Sequence, residues 1–381
     1  PFTLRFWDGS ELEATDPCGP VFTVRSPTAV AHLLRAPGQL GLGRAYAAGE
    51  LEVDDLDLVI ELLDTFKAPP IDRGARLRLS LAALRACGLT RLPRIPASEL
   101  RPRGRRHSRE RDARSVRHHY EVSNDFFALF LDPSMTYSCA LFSRGASTLE
   151  QAQDAKRELV CSKLKLQDGQ RLLDVGCGWG SFVIHAAERH GVSAVGITLS
   201  PAQAELARRR VADAGLSERV QIRVADYRDL AGERYDAIAS IGMVEHVGSN
   251  KIDLYASQLA GLLEPGGLLL NHGIARLRHG DAEAGPFSER YVFPDAAPLH
   301  LSRILFALER AGIEPLHSEG LRQDYVRTLS EWIARLDANL ERAVQLAGAE
   351  RVRVWRLYLR AARNGFQTGF TSVFQVLGRR V

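Results

Sequence analysis

Arg171-Leu-Leu-Asp-Val-Gly-Cys-Gly-Trp-Gly-Ser181 decides how this chain is read. Leu172, Leu173, Asp174 and Val175 suit a buried strand, and three glycines spaced one apart follow at 176, 178 and 180. An amphipathic pattern from about Ser181 to Arg189 predicts a helix. Glycine lets the backbone turn sharply and lets a ligand come close, and a helix start offers free N–H groups. A strand, a glycine-rich turn and a helix N-terminus therefore predict a site for a nucleotide-like ligand.

Downstream, strand and helix patterns alternate. Ala194 to Thr198 reads as a strand, and Pro201 opens a helix as a good first-turn residue. Val220–Val224 and Tyr235–Ile241 are the next strands, followed by a helix from Lys251 to Leu263. A turn is expected at Glu264-Pro-Gly-Gly267, then a strand at Leu268–His272. This order predicts an α/β fold with a doubly wound, mostly parallel sheet, its ligands at the carboxyl ends of the strands. Residues 275–365 read as a mostly helical cap, and Ile313–Ser318 and Phe370–Leu377 as closing strands.

The spacing discriminates between nucleotides. A dinucleotide site needs G-x-G-x-x-G and an acid about 20 residues on. Here the spacing is G-x-G-x-G, and Gly196-Ile-Thr-Leu-Ser200 carries no acid. No Gly-Lys-Ser/Thr follows, which excludes a P-loop. Asp226 and Tyr227 close the third strand at an adenine-binding position. The layout resembles S-adenosylmethionine-dependent methyltransferases of the Rossmann-like class I type.

Upstream of the glycine stretch, residues 1–92 read as a small α+β domain. Its strands are expected near Phe2–Phe6 and Val21–Val24, its helices from Pro27 and over Leu56–Phe66. A lipid-binding or dimerising role suits it, as does a plain structural one. Ile71–Leu92 mixes leucines with arginines as a helix lying on an anionic membrane does. Residues 93–117 read as a linker: prolines punctuate it, and eight arginines between 101 and 117 repel one another and keep it extended or mobile.

Composition sets the outer limits. The 381 residues suffice for one large domain and a smaller one. Net charge is only +4, which does not point to nucleic acid, although arginine supplies 45 of the 50 basic residues. No run approaches the roughly 20 apolar residues of a membrane span. Pro1–Arg5 lacks the layout of a signal peptide. The five cysteines are odd in number and form no C-x-x-C pair, which favours a reducing cytoplasm over disulfides or zinc. A cytoplasmic protein, peripheral at the inner face of the membrane, is expected.

Further segments sharpen the resemblance. His119-Tyr-Glu-Val-Ser-Asn-Asp125, Met135-Thr-Tyr-Ser-Cys139, Asp226-Tyr-Arg-Asp-Leu230, Gly242-Met-Val-Glu-His-Val-Gly248, Tyr291-Val-Phe-Pro294 and Asp324-Tyr325 join the glycine loop in a fixed order. From about residue 118 to 377 the chain resembles the cyclopropane-fatty-acid synthase family. Residues 1–90, with Ala45-Tyr-Ala-Ala-Gly49, resemble less distinctively the extra domain of its longer bacterial members.

That resemblance implies methyl transfer from S-adenosylmethionine to the cis double bond of a phospholipid acyl chain. The attack builds a carbocation, so the site needs an apolar tunnel, aromatic faces and one placed base. In the family the base is a bound bicarbonate held by a Glu, a His, a Tyr and backbone groups. The matching positions are Glu245, His272 and Tyr325, with Cys139 and Ile274 contributing main chain. Glu245 and His272 are expected to end the fourth and fifth strands. Cofactor contacts carry over to Tyr137 and Ser138, to Asp174 and the loop Gly176, Cys177, Gly178, Trp179 and Gly180, to Thr198, Leu199, Ser200 and Gln203, and to Asp226 and Tyr227. Cys177 has no activating base in view and reads as a packing residue. No metal ligand set is expected.

Two departures bear on the product. Many family members carry a Cys four residues before the Phe matching Phe366, where this chain has Ala362, and Gln367 replaces the usual basic residue. A thiol adduct at that place is excluded. The expected partners are an unsaturated phospholipid and an anionic membrane surface, with a homodimer possible and nucleic acid absent. The alternatives are a methylene- or methyl-branched product, a small-molecule or tRNA methyltransferase, and a lipid-surface binding protein on a degenerate fold.

Overall fold

A computed structural model describes the chain except residues 16–17, 67–69, 71, 88–93, 101–103, 121, 231 and 281–284, and the side chains at 76, 79, 83, 86 and 87. The chain divides into two compact units. The first comprises Pro1–Arg101, Gly285–Val292 and Leu340–Asn364, so stretches read from sequence as part of the cap fold with the N-terminal residues. Its strands β1 (Thr3–Arg5), β2 (Glu11–Leu12), β3 (Val21–Val24) and β4 (Leu51–Val53) form a sheet ordered β2-β1-β3-β4. Helices α1 (Pro27–Arg35), α2 (Gln39–Ala47), α3 (Leu56–Thr65) and α4 (Arg73–Cys87) accompany it. Val24, Ala29, Ala45 and Leu51 make its small core. Arg44 is buried against Glu99, donating to both carboxylate oxygens at 2.7 Å, and the Tyr291 hydroxyl donates to the same carboxylate.

The second unit carries the large sheet. Strands β5 (Arg171–Val175), β6 (Ser193–Thr198), β7 (Val220–Val224), β8 (Tyr235–Ile241), β9 (Leu263–Arg276), β10 (Ile313–Gly320) and β11 (Thr371–Arg380) are ordered β10-β11-β9-β8-β5-β6-β7. β5 to β9 are parallel, and β11 and β10 close the sheet antiparallel. Consecutive side chains of a strand point to opposite faces. Leu172 accordingly packs into one core cluster and Leu173 and Val175 into the other. The chain reverses direction across the sheet at β5, between β6 and β8, the crevice where such sheets bind ligands.

The helices of this unit include α5 (Arg109–Tyr120), α6 (Asn124–Ala128), α7 (Leu149–Leu164), α8 (Ser181–His190), α9 (Pro201–Asp213) and α10 (Ile252–Leu262). α5 corrects the expectation of an extended linker through residue 117. Glu110 and Asp112 in its first turn oppose the dipole, and acids disperse its arginines. Arg109 pairs with Asp229, Arg111 with Asp295, and Asp112 with Arg228. The turn expected at 264–267 is instead a break in register inside β9: Tyr235 pairs with Leu263, and Ala237 with Leu268. Pairing with β11 carries β9 on to Arg276, so His272 lies within this strand and not at its end. His272 does mark the end of the parallel pairing, opposite Ile241.

Candidate active site

The glycine loop is built as its spacing demands. Gly176 has φ +88°, and a Cβ there would stand 2.8 Å from Met243 Cγ. Gly180 caps α8 in the left-handed region with no side chain spent on the helix N–H groups. All of the expected cofactor residues except Gly180 and Ser200 line one cavity. Gly180 serves the helix start, and the Ser200 hydroxyl accepts from the Gln203 amide as the cap of α9. Gln203 also accepts from Thr198 Oγ1 at 2.8 Å and meets the Tyr120 hydroxyl. Cys177 is buried, its Cβ 2.9 Å from where a side chain on Gly196 would begin, and burial pushes its thiol well up. We expect Gly176→Ala to weaken S-adenosylmethionine binding at least tenfold, because it strains a left-handed backbone by about 1 kcal/mol or more. Isothermal titration checks this, and unchanged affinity would remove the loop from the site.

Several cavity residues escaped the sequence reading. Lys156, on α7, is fully buried, and its Nζ donates to Ser138 Oγ at 2.8 Å. Burial pulls its ammonium down to about 8. It lies near Asp174, whose carboxyl burial raises to about 7 and whose Oδ1 has no partner among the described residues. Lys156 is one of only five lysines in an arginine-rich chain, and that rarity was the available signal. Asp226 lines the cavity as half of an ion pair: it accepts from the Arg228 amide at 3.0 Å and from Nε at 2.8 Å. An unpaired buried carboxylate, a buried amine and a glycine cradle fit a zwitterionic, nucleoside-bearing cofactor such as S-adenosylmethionine.

The residues implied as a base site do not line that cavity. Glu245 sits on a short 3-10 turn after β8, and the Ile274 N–H donates to its carboxylate. It is buried, Oε2 has no partner among the described residues, and burial raises its carboxyl to about 7. Gly273 lies beside it: a Cβ there would stand 3.1 Å from Oε2. His272 Nε2 is likewise buried without a partner among the described residues, and burial lowers the imidazole to about 3, so the ring is neutral.

A network from β11 sets the tautomer of His272. Glu319 pairs with Lys163, and Lys163 donates to Gln375 Oε1 at 2.7 Å. This turns the Gln375 amide nitrogen toward His272 Nδ1, 3.2 Å away. An amide nitrogen only donates, so Nδ1 accepts and the ring proton resides on Nε2. Gln375 is directly opposite His272 in the antiparallel pairing. Sequence reading missed it because that register links positions over a hundred residues apart.

Cys139 and Tyr325 join through neighbouring backbone. The Cys139 thiol is fully buried, donates toward the Ala140 carbonyl and lies 3.7 Å from the Leu321 carbonyl. Asp324 accepts from the amides of Phe142 and Ser143, clamping that segment to the helix Arg322–Ala338. Leu321 N–H donates to Val373 of β11, which pairs with Ile274. Tyr325 is half-buried, its ring 4.6 Å from Phe366 and 6.1 Å from Trp332. Trp332 lies tilted against Tyr137 in turn, ring centroids 5.1 Å apart, giving a run of aromatic rings.

Known proteins place this arrangement. Residues 107–376 match the profile of the mycolic acid cyclopropane synthetase family. A Mycobacterium tuberculosis protein named as a probable fatty acid methyltransferase is 40% identical over 392 residues, covering 100% of this chain and 91% of its own. The cyclopropane-fatty-acyl-phospholipid synthase of Escherichia coli is 33% identical, covering 90% of this chain and 84% of its own. The crystal structure of the mycolic acid cyclopropane synthase CmaA1 complexed with SAH and CTAB superposes with a TM-score of 0.67 at 34% identity, over 70% of this chain and 98% of that one. With its seven-stranded sheet and cofactor cavity, the chain is an S-adenosylmethionine-dependent methyltransferase and belongs to the mycolic acid cyclopropane synthetase family.

Proposed function

We propose that the enzyme transfers the methyl carbon of S-adenosylmethionine to a cis double bond in a phospholipid acyl chain, and that loss of a proton then closes a cyclopropane ring. The observation that carries this reading is the pair of buried polar atoms, Glu245 Oε2 and His272 Nε2, that have no partner among the described residues and lie on neighbouring stretches of the site. Most buried polar groups are satisfied, so two orphans here call for a ligand. When bound, S-adenosylmethionine supplies an electrophilic methyl group. Tyr137, Ser138, Lys156, Asp174 and the glycine loop would hold it.

An alkene is a weak nucleophile, and positive charge develops on the acyl chain as its electron pair is used. The faces of Tyr137, Trp332, Tyr325 and Phe366 favour that charge and exclude water. A small oxyanion such as bicarbonate fits the orphans as the proton acceptor. His272 offers its Nε2–H, and Glu245, with its carboxyl near 7, offers a second proton at neutral pH. Tyr325 and the main chain at Cys139 and Ile274 would complete that cradle. The name of the relative at 40% identity favours a second reading, in which the same transfer ends in a methylene or methyl branch. NMR of the isolated acyl product separates the two, because a ring and a methylene branch have equal mass.

Among the described residues no helix is long and apolar enough to cross a membrane. We propose that α4 meets the lipid surface. Leu77, Leu81 and Leu84 share a face and are 61%, 45% and 41% exposed. Arg73, Arg78 and Arg85 lie on the same helix, a charge pattern complementary to an anionic bilayer. Replacing the three leucines with serine is expected to lower binding to phosphatidylglycerol vesicles roughly tenfold or more. Vesicle co-sedimentation measures this, and undiminished binding would assign the contact to another surface.

A further inference from the structure

Outside the cofactor cavity, helices α7 and α8 bring together a set of side chains that the reaction does not use. Cys161, His185 and His190 each offer a donor atom, and these atoms lie within 4.8 Å of one another. Glu158, three residues before Cys161 on α7, stands with Oε2 3.2 Å from Nε2 of His185 and 3.2 Å from Nε2 of His190. Asp154 Oδ1 lies 3.5 Å from the other nitrogen of His185. None of these five residues lines the cofactor cavity. We propose that Cys161, His185 and His190 bind one divalent cation of the zinc class, with Glu158 steadying the two imidazoles and Asp154 orienting His185 for it.

The donor set supports a metal. One sulfur and two imidazoles are ligands that zinc accepts, with bonds of about 2.0–2.3 Å. Without a cation, Glu158 Oε2 sits at hydrogen-bond distance, 3.2 Å, from both Nε2 atoms and steadies the two rings. Asp154 Oδ1, which also accepts from Arg157 at 3.1 Å, lies 3.5 Å from Nδ1 of His185, where it would complete a carboxylate–histidine–metal relay when a cation takes Nε2.

Burial and charge agree. Cys161 is fully buried and His185 nearly so, whereas the Glu158 side chain is about half exposed and leaves an entry path. On binding a divalent ion Cys161 would become a thiolate: the S–H bond breaks, a sulfur–metal bond forms, and one proton leaves to solvent. The count and spacing of cysteines argued against zinc because Cys161 has its partners on another helix. Three protein donors leave the remaining position of the site to water. The site ties the C-terminal end of α8, the helix that starts at the glycine loop, to α7, which carries Lys156.

The test uses the full chain, stripped with a chelator and re-equilibrated with zinc. One equivalent per chain is expected by elemental analysis, with the melting temperature raised by several degrees. Cobalt in place of zinc is expected to give a thiolate-to-metal absorption band, lost in Cys161→Ser. His190→Gln should abolish retention of the metal, and Asp154→Asn should weaken it about 10–100-fold. His190 is at the helix end and partly exposed, so that variant keeps the test usable if Cys161→Ser does not fold; circular dichroism verifies folding. A folded chain that retains no zinc, or that binds it equally well as His190→Gln and Asp154→Asn, would overturn the proposal and leave an ion-pair network.

Discussion

Glu245→Gln is expected to reduce product formation roughly 10²–10⁴-fold while leaving S-adenosylmethionine affinity little changed. The carboxyl lies outside the cofactor cavity, which accounts for the intact binding. Gln cannot release a proton to an oxyanion or accept one, which accounts for the lost turnover. The same variant carries a stability signature. In the folded protein burial raises this carboxyl from 4.5 to about 7. The native state therefore holds the proton more tightly than the unfolded chain does, and stability falls as pH rises from about 4.5 to about 7. The full loss is on the order of 3 kcal/mol. Glu245→Gln removes it, so the variant is expected to melt above the parent at pH 8, with the gap closing near pH 5. Full turnover, or a melting difference independent of pH, would show that Glu245 is an ordinary structural residue.

Gln375 gives the second large effect. Gln375→Glu preserves shape and keeps Lys163 paired, yet it presents an acceptor to His272 Nδ1 where an amide donor stood. The ring proton then moves to Nδ1, and Nε2 no longer donates. We expect kcat to fall roughly 10–100-fold with KM for both substrates nearly unchanged. Gln375→Leu should fall as far, for want of any partner at Nδ1. Nitrogen NMR of His272 reads the tautomer directly. A purely structural role predicts instead that Glu is tolerated and Leu is not.

How much of this was legible in sequence depends on the range of the interaction. β5 to β8 and α8 to α10 follow from local pattern, because apolar periodicity and Pro201 at a first turn act within a few residues. The glycine loop was legible for the same reason. Residues 109–117 were misread because repulsion among arginines was weighed without the acids that meet them, Asp229 and Asp295, which lie over a hundred residues away. The extent of β9 depends on β11, a strand supplied by the end of the chain. Gln375, Lys156 and the partners of Cys161 belong to that long-range class. Glu245 and His272 came from the ordered family motifs, and only the fold reveals that each keeps an unpaired buried atom.

The proposed reaction places the methyl group on carbon in a lipid acyl chain. The most direct measurement incubates the purified chain with methyl-labelled S-adenosylmethionine and vesicles of cis-monounsaturated phospholipid, then examines the hydrolysed acyl chains by mass spectrometry. The expected result is label in acyl chains heavier by one CH₂, with none when the vesicles are fully saturated. Cofactor binding with no label in any acyl chain would contradict the account.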